Sequence, residues 1–165
     1  MTIAEGGKPS LCTAAGCVDL FGDYELAEVN HLHPPMDKKS FKMLTSDSKT
    51  LATYSTSIEP HFSGFTLKTA CTDCSPDQLE KFLAENGAKN LEMHQLKGKP
   101  DNVWVANYQC NSDYFGALAY FRELLIIEGG QTFRYVFWTF DHPQTLKSET
   151  IRIFDTFYKK KNEDQ

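Results

Sequence analysis

Gly129 and Gly130 stand between two long runs of strand-forming residues, and that junction constrains the chain more than any other feature of its sequence. A two-glycine connection supplies the positive φ that a tight hairpin turn needs, so the flanking runs are expected to be antiparallel neighbours. The second arm, Gln131 to Phe140, is dense in Thr, Phe, Tyr, Val and Trp and has strand propensity throughout. The first arm is less decided. Over 115–128, Ala, Leu, Arg and Glu favour helix while Leu124 to Ile127 favours strand, and the hairpin junction decides for a strand over 118–128. Along the second arm Phe133, Tyr135 and Phe137 share one face, and Arg134, Val136, Trp138 and Phe140 share the other. A strand with bulky side chains on both faces is expected near the middle of a sheet, covered on both sides.

Other elements follow from local signals. Lys49 to Ile58 and Phe62 to Ala70 read as two strands broken at Glu59-Pro60-His61. Ser75-Pro76-Asp77-Gln78 offers an N-cap, a Pro at the first helical position and a Gln placed to close a capping box. Leu79, Phe82 and Leu83 continue at helical spacing and Gly87 supplies a left-handed stop, which predicts a helix over 76–86. Leu91 and Met93 then alternate with Asn90, Glu92 and His94, and the turn at 97–101 leads into Val103 to Cys110, giving two more strands. Beyond Asp141-His142-Pro143, Leu146, Ile153, Phe154 and Phe157 predict a C-terminal helix with Thr145 or Ser148 as its cap. Lys159 to Lys161 complement the dipole of that helix and read as a solvated end rather than a nucleic-acid patch.

Residues 1–40 differ in character, with Gly6-Gly7, Pro9, Gly16, Gly22 and Pro34-Pro35 around short apolar clusters. A loop-rich N-terminal arm is expected there, packed on the body because Leu20, Phe21, Leu26, Val29 and Leu32 would be costly to leave wet. Residues 41–165 then form a single α+β domain, an antiparallel sheet of about six strands flanked by a mid-chain helix and a C-terminal helix.

At 165 residues one core is expected, and 12 Phe, 7 Tyr and 2 Trp exclude a disordered chain. A net charge of −5 offers no cationic field for polyanions, so nucleic acid is not an expected partner. No run of 18 apolar residues exists, so no membrane span is expected. The first 20 residues lack a signal-peptide pattern, which favours the cytoplasm, with a periplasmic or secreted location if the sequence is a mature form.

Cys71-Thr72-Asp73-Cys74 is the sharpest chemical feature, because the amides of the following helix would stabilise a thiolate at Cys74. Asp73 opposes that ionisation, and no βαβ start accompanies the pair. A structural disulfide and plain thiols remain beside the redox reading. Cys12, Cys17, Cys71 and Cys74 match a tetrahedral zinc site in number, but C-x4-C followed more than fifty residues later by C-x2-C is not knuckle spacing. Cys110 is expected buried on a strand. His31 and His33 have no third ligand that the sequence identifies, and they read as polar loop residues. Asp141-His142 lacks a nucleophile turn to complete a triad, and Gly-rich phosphate loops and His-Glu-x-x-His are absent. No metal and no cofactor is expected. The aromatic strand could serve as a platform for a ligand, or simply pack beneath the C-terminal helix through Leu146, Phe154 and Phe157. Only one face can be covered that way.

The order of elements, with Phe121-Arg122-Glu123-Leu124 running to Gly129-Gly130, then Arg134-Tyr135-Val136-Phe137-Trp138-Thr139-Phe140, then Ile151 to Phe157, resembles the PsbP-like α/β/α sandwich superfamily. The likeness covers 115–158, with looser agreement from residue 41. It implies a non-enzymatic domain that binds another protein through a sheet face or edge, as an adaptor, a secretion-associated chaperone or an inhibitor/immunity-type protein. On that reading the contact residues are Tyr120, Arg122, Arg134, Val136 and Trp138 on an aromatic sheet face. The alternative is a thiol-disulfide oxidoreductase using Cys71 and Cys74. The oligomeric state is left open.

Overall fold

The computed structural model describes residues 2–3, 9–21, 24–27, 53–56, 63–70, 74–112 and 117–159. The hairpin at the two glycines forms as expected. Strands β9 (Ala117–Glu128) and β10 (Gln131–Thr139) pair antiparallel from Gln131 opposite Glu128 to Thr139 opposite Tyr120, with Gly129 at φ 59° in the turn. The helical tendency of 117–120 is overridden by this partner strand. On the far side of β10 lies β6 (Ser63–Ala70), followed by β5 (Thr53–Thr56) and β4 (Tyr24–Ala27). On the far side of β9 come β8 (Val103–Ser112) and β7 (Lys89–Gln95). The sheet order is β4-β5-β6-β10-β9-β8-β7, every pairing is antiparallel, and the aromatic strand β10 is central. Gly64 faces Phe137 across the β6–β10 pair, where a Cβ would collide with the ring.

Helix α1 (Pro76–Glu85) begins as the sequence indicates, with the Ser75 hydroxyl accepting from the Gln78 amide at 3.2 Å. Helix α2 (Pro143–Asp155) differs in its start. Proline has no N–H to leave unpaired and its φ suits the first helical position, so the helix opens at Pro143 with His142 in the cap position. Thr145 and Ser148 therefore lie inside the helix rather than at its cap, and the Ser148 hydroxyl donates to the Gln144 carbonyl at 3.1 Å.

The two sheet faces hold separate cores. On one, Phe133, Tyr135 and Phe137 with Leu124, Ile126, Val103 and Val105 pack under Leu146, Ile153, Phe154 and Phe157. On the other, Val136, Trp138, Phe121, Leu125 and Phe65 meet Leu79 and Leu83 of α1. The assembly is a helix, a sheet and a second helical layer, which makes the chain an α+β antiparallel sandwich.

Within residues 1–40 most of the described residues are in strands rather than loop: β1 (Thr2–Ile3), β2 (Pro9–Thr13) and β3 (Gly16–Asp19) form a small sheet, and β4 joins the main one. The reason is the partner they find. Leu11, Val18 and Leu20 are buried beside α2, and the Tyr135 hydroxyl donates to the Gly16 carbonyl at 2.6 Å while meeting the Thr13 hydroxyl at 2.7 Å. Cys17 and Tyr158 exchange two backbone hydrogen bonds of 3.0 Å. Burial raises the Tyr135 phenol pKa, so it stays protonated and able to donate.

Candidate functional site

Alternation across the β8–β9 and β7–β8 registers places Arg122 opposite Asn107 and Asn107 opposite Glu92, all on the face that α2 covers. Helix α2 lies over β9 and β10 and the β2–β3 hairpin, so no helix or strand among the described residues covers the polar half-face that the outer strands β7 and β8 carry beside it. The result is a groove of about 580 Å³. Its floor is Glu92, His94, Asn107, Gln109, Tyr120 and Arg122, and its wall is the exposed side of α2 from Pro143 through Lys147 to Ile151. Ile151, with 54% of its surface exposed, is an apolar lip on this wall.

Arg122 sits at the join of floor and wall, only 9% exposed. Its Nε donates to the Thr150 hydroxyl at 2.7 Å, and that hydroxyl in turn donates to the Leu146 carbonyl at 2.7 Å. Its Nη1 donates to Asn107 Oδ1 at 3.5 Å, and Asn107 Nδ2 donates to Glu92 Oε2 at 3.2 Å. No carboxylate among the described residues lies within 4.0 Å of the guanidinium. Burial lowers the Arg122 pKa, as expected for a cation removed from water without a counter-ion. The same environment lowers His94, through desolvation first and the Arg122 charge second, with Glu92 opposing both.

Of the residues expected to make one contact surface, the structure brings Tyr120 and Arg122 to this groove and sends Arg134, Val136 and Trp138 to the opposite face. The separation follows from pairing. Val136 lies opposite Glu123 and Phe137 opposite Arg122, so even-numbered positions on β9 share a face with odd-numbered positions on β10. Arg134 is 2% exposed and bound to Glu123, with Nε to Oε1 at 2.7 Å and Nη2 to Oε2 at 2.9 Å, and Nη1 reaches Thr69 Oγ1 at 3.4 Å. The Tyr108 hydroxyl donates to Glu123 Oε2 at 2.6 Å. Desolvation opposes the charge on Arg134, but the Glu123 carboxylate more than offsets it and raises the pKa. Val136 and Trp138 are buried in the α1-side core. The aromatic face of Phe133, Tyr135 and Phe137 is likewise covered, with the Phe137 and Phe154 rings 5.9 Å apart.

The groove contains residues that motif reading passed over. Glu92 and His94 were visible as the polar half of an alternating strand, whereas Asn107 and Thr150 carried no signal, since their roles depend on what Arg122 reaches from a neighbouring strand.

Cys12 and Cys17 face each other on β2 and β3 and form a disulfide, which occupies two of the four thiols counted toward zinc. Cys74 is disulfide-bonded and buried, Cys110 is a buried thiol on β8, and Cys71, His31 and His33 lie outside the described residues. Among the described residues no three His, Cys, Asp or Glu side chains converge as metal ligands, and no helix is long and apolar enough to cross a membrane.

No protein-family model and no curated protein matches the chain. Among solved structures it is similar to PA94, a protein of unknown function from Pseudomonas aeruginosa, with a TM-score of 0.45 and 13% identity over 79% of this chain and 95% of that one.

Proposed function

We propose that the chain is a non-enzymatic protein-binding domain of PsbP-like type, an adaptor, secretion-associated chaperone or inhibitor/immunity-type protein, whose partner seats in the groove beside α2. The carrying observation is the bare half-face itself. Strand β7 ends the sheet among the described residues, most of its side chains are exposed, and beside it lies a recess with a buried cation at its base and an apolar lip at Ile151. An edge strand next to a recess of a few hundred Å³ suits an extended segment of another protein, with backbone pairing for affinity and the recess for selection. The partner surface thus differs from an aromatic sheet face, because the aromatic residues are spent on the two cores.

The test uses the tagged full chain and two substitutions at exposed wall positions, Lys147→Glu and Ile151→Asp. Both variants are expected to keep the native circular dichroism spectrum and to lose the partner that the unaltered chain retains in affinity capture. Retention of the same partner by both would remove the groove as its seat.

One observation favours a second reading, a thiol-disulfide oxidoreductase: Cys74 is disulfide-bonded at the residue before the Ser75 cap of α1. Insulin reduction by the purified chain tests it, and inactivity with a fully reduced Cys74 would end it. Disulfides persist in oxidising compartments, so the Cys12–Cys17 bond supports a periplasmic or secreted setting over the cytoplasm.

A further inference from the structure

We infer that the groove is a carboxylate-binding site in which Arg122 is the anion-binding group, an inference that rests on the proposed role of the groove in taking a partner segment. A guanidinium has five N–H donors. Arg122 gives one to Thr150 and one, at long range, to Asn107, and its Nη2 has no hydrogen-bond partner among the described residues. A side chain about nine-tenths buried, with Nη2 and the second Nη1 proton left over, is what a planar, bidentate carboxylate completes.

The surroundings agree in charge. Lys147 lies on the wall, and the α2 N-terminus lines the groove through Pro143 and Gln144 with no side-chain cap bond and no acidic residue in its first turn. The one carboxylate on the floor, Glu92, is engaged with the Asn107 amide and lies beyond ion-pair distance of Arg122. The side-chain amides of Asn107, Gln109 and Gln144 offer donors and acceptors for peptide groups, and Ile151 offers apolar contact. A carboxylate carried on a peptide segment with an apolar residue beside it fits all of these together. Its source is either a free C-terminus or an acidic side chain, and the chemistry at Arg122 is the same.

Three probe peptides distinguish the sources: N-acetyl-Ala-Ala-Phe with a free C-terminus, its C-terminal amide, and N-acetyl-Ala-Glu-Phe amide. Binding to the full chain is followed by NMR, reading the Arg122 Nε–H resonance and the backbone amides of β7 to β9. The expected result is that one of the two carboxylate-bearing peptides binds roughly tenfold or more tightly than the neutral amide and shifts the Arg122 resonance. Asn107→Asp, which supplies a counter-ion from within, is expected to abolish that preference. Lys147→Glu, at an exposed position, is expected to weaken it, so the inference remains testable if Asn107→Asp does not fold. Equal binding of all three peptides, binding of none, or a preference untouched by both variants overturns the inference. Partner capture that still depends on Lys147 and Ile151 while the carboxylate preference is absent would leave the groove as a protein-binding seat and remove only its anion chemistry.

Discussion

Two arginines on neighbouring strands, each at least nine-tenths buried and on opposite faces of one sheet, have been given different company. Arg134 has a bidentate carboxylate, a threonine hydroxyl and, through Glu123, a tyrosine. Arg122 has a threonine and a distant amide. The first arrangement is closed: the charge is neutralised and the network belongs to the α1-side core. The second is open on one side, and a buried cation without a carboxylate partner is a stability liability. The contrast separates an arginine whose charge is neutralised within the fold from one whose charge is not.

Removing a partner from each network should expose that difference. The largest effect is expected at Glu123→Ala, which leaves Arg134 charged and unpaired in the core and should lower unfolding free energy by about 3 to 5 kcal/mol in urea titration. A loss below about 1 kcal/mol would mean that water reaches this site and that the closed network is an illusion. Tyr108→Phe removes one donor from Glu123 while the ion pair stays, so a smaller loss of about 1 to 2 kcal/mol is expected by the same measurement. Arg122→Met, on the open side, should change stability by no more than about 1 kcal/mol in either direction, because relief of the buried charge offsets two lost hydrogen bonds. A loss as large as that of Glu123→Ala would place Arg122 among the structural residues and erase the comparison.

The smallest effect concerns pH. Burial and the Arg122 charge hold the folded-state pKa of His94 below the ordinary imidazole value of 6.5, so the folded chain binds fewer protons there than the unfolded one. The associated stability is present above pH 6.5 and is lost as pH falls through the lowered folded value. Titration of the His94 ring by NMR should give a midpoint below 6.5 that moves upward in Arg122→Met, since one of the two lowering causes is removed. An unchanged midpoint would show that the Arg122 charge does not contribute to it.

Much of the fold was legible because its signals are local. Two glycines between strand-forming runs, a Ser-Pro-Asp-Gln helix start and a polar-apolar alternation each act within a few residues. The division of Arg122 from Arg134 was not, because it depends on which residue faces which across the hairpin. A shift of one position in that pairing would have put all five expected contact residues on one side. The β2–β3 hairpin was equally hard to foresee, since its stability comes from Tyr135, Thr156 and Tyr158, all distant in sequence. The groove was half visible, in the polar side of β7, and half hidden, in a helix threonine that gains meaning only when an arginine from β9 reaches it.

The hairpin also sets an order of events during synthesis. The backbone bonds between Cys17 and Tyr158 join β3 to the residues that follow α2. A chain emerging from the ribosome makes residues 11–18 more than a hundred residues before their docking partners on β10 and after α2. Until then Phe133, Tyr135 and Phe137 lack their cover, and the nascent chain displays apolar surface that the finished protein never shows. A nascent chain stalled before Tyr158 should therefore bind holdase chaperones that the completed chain releases.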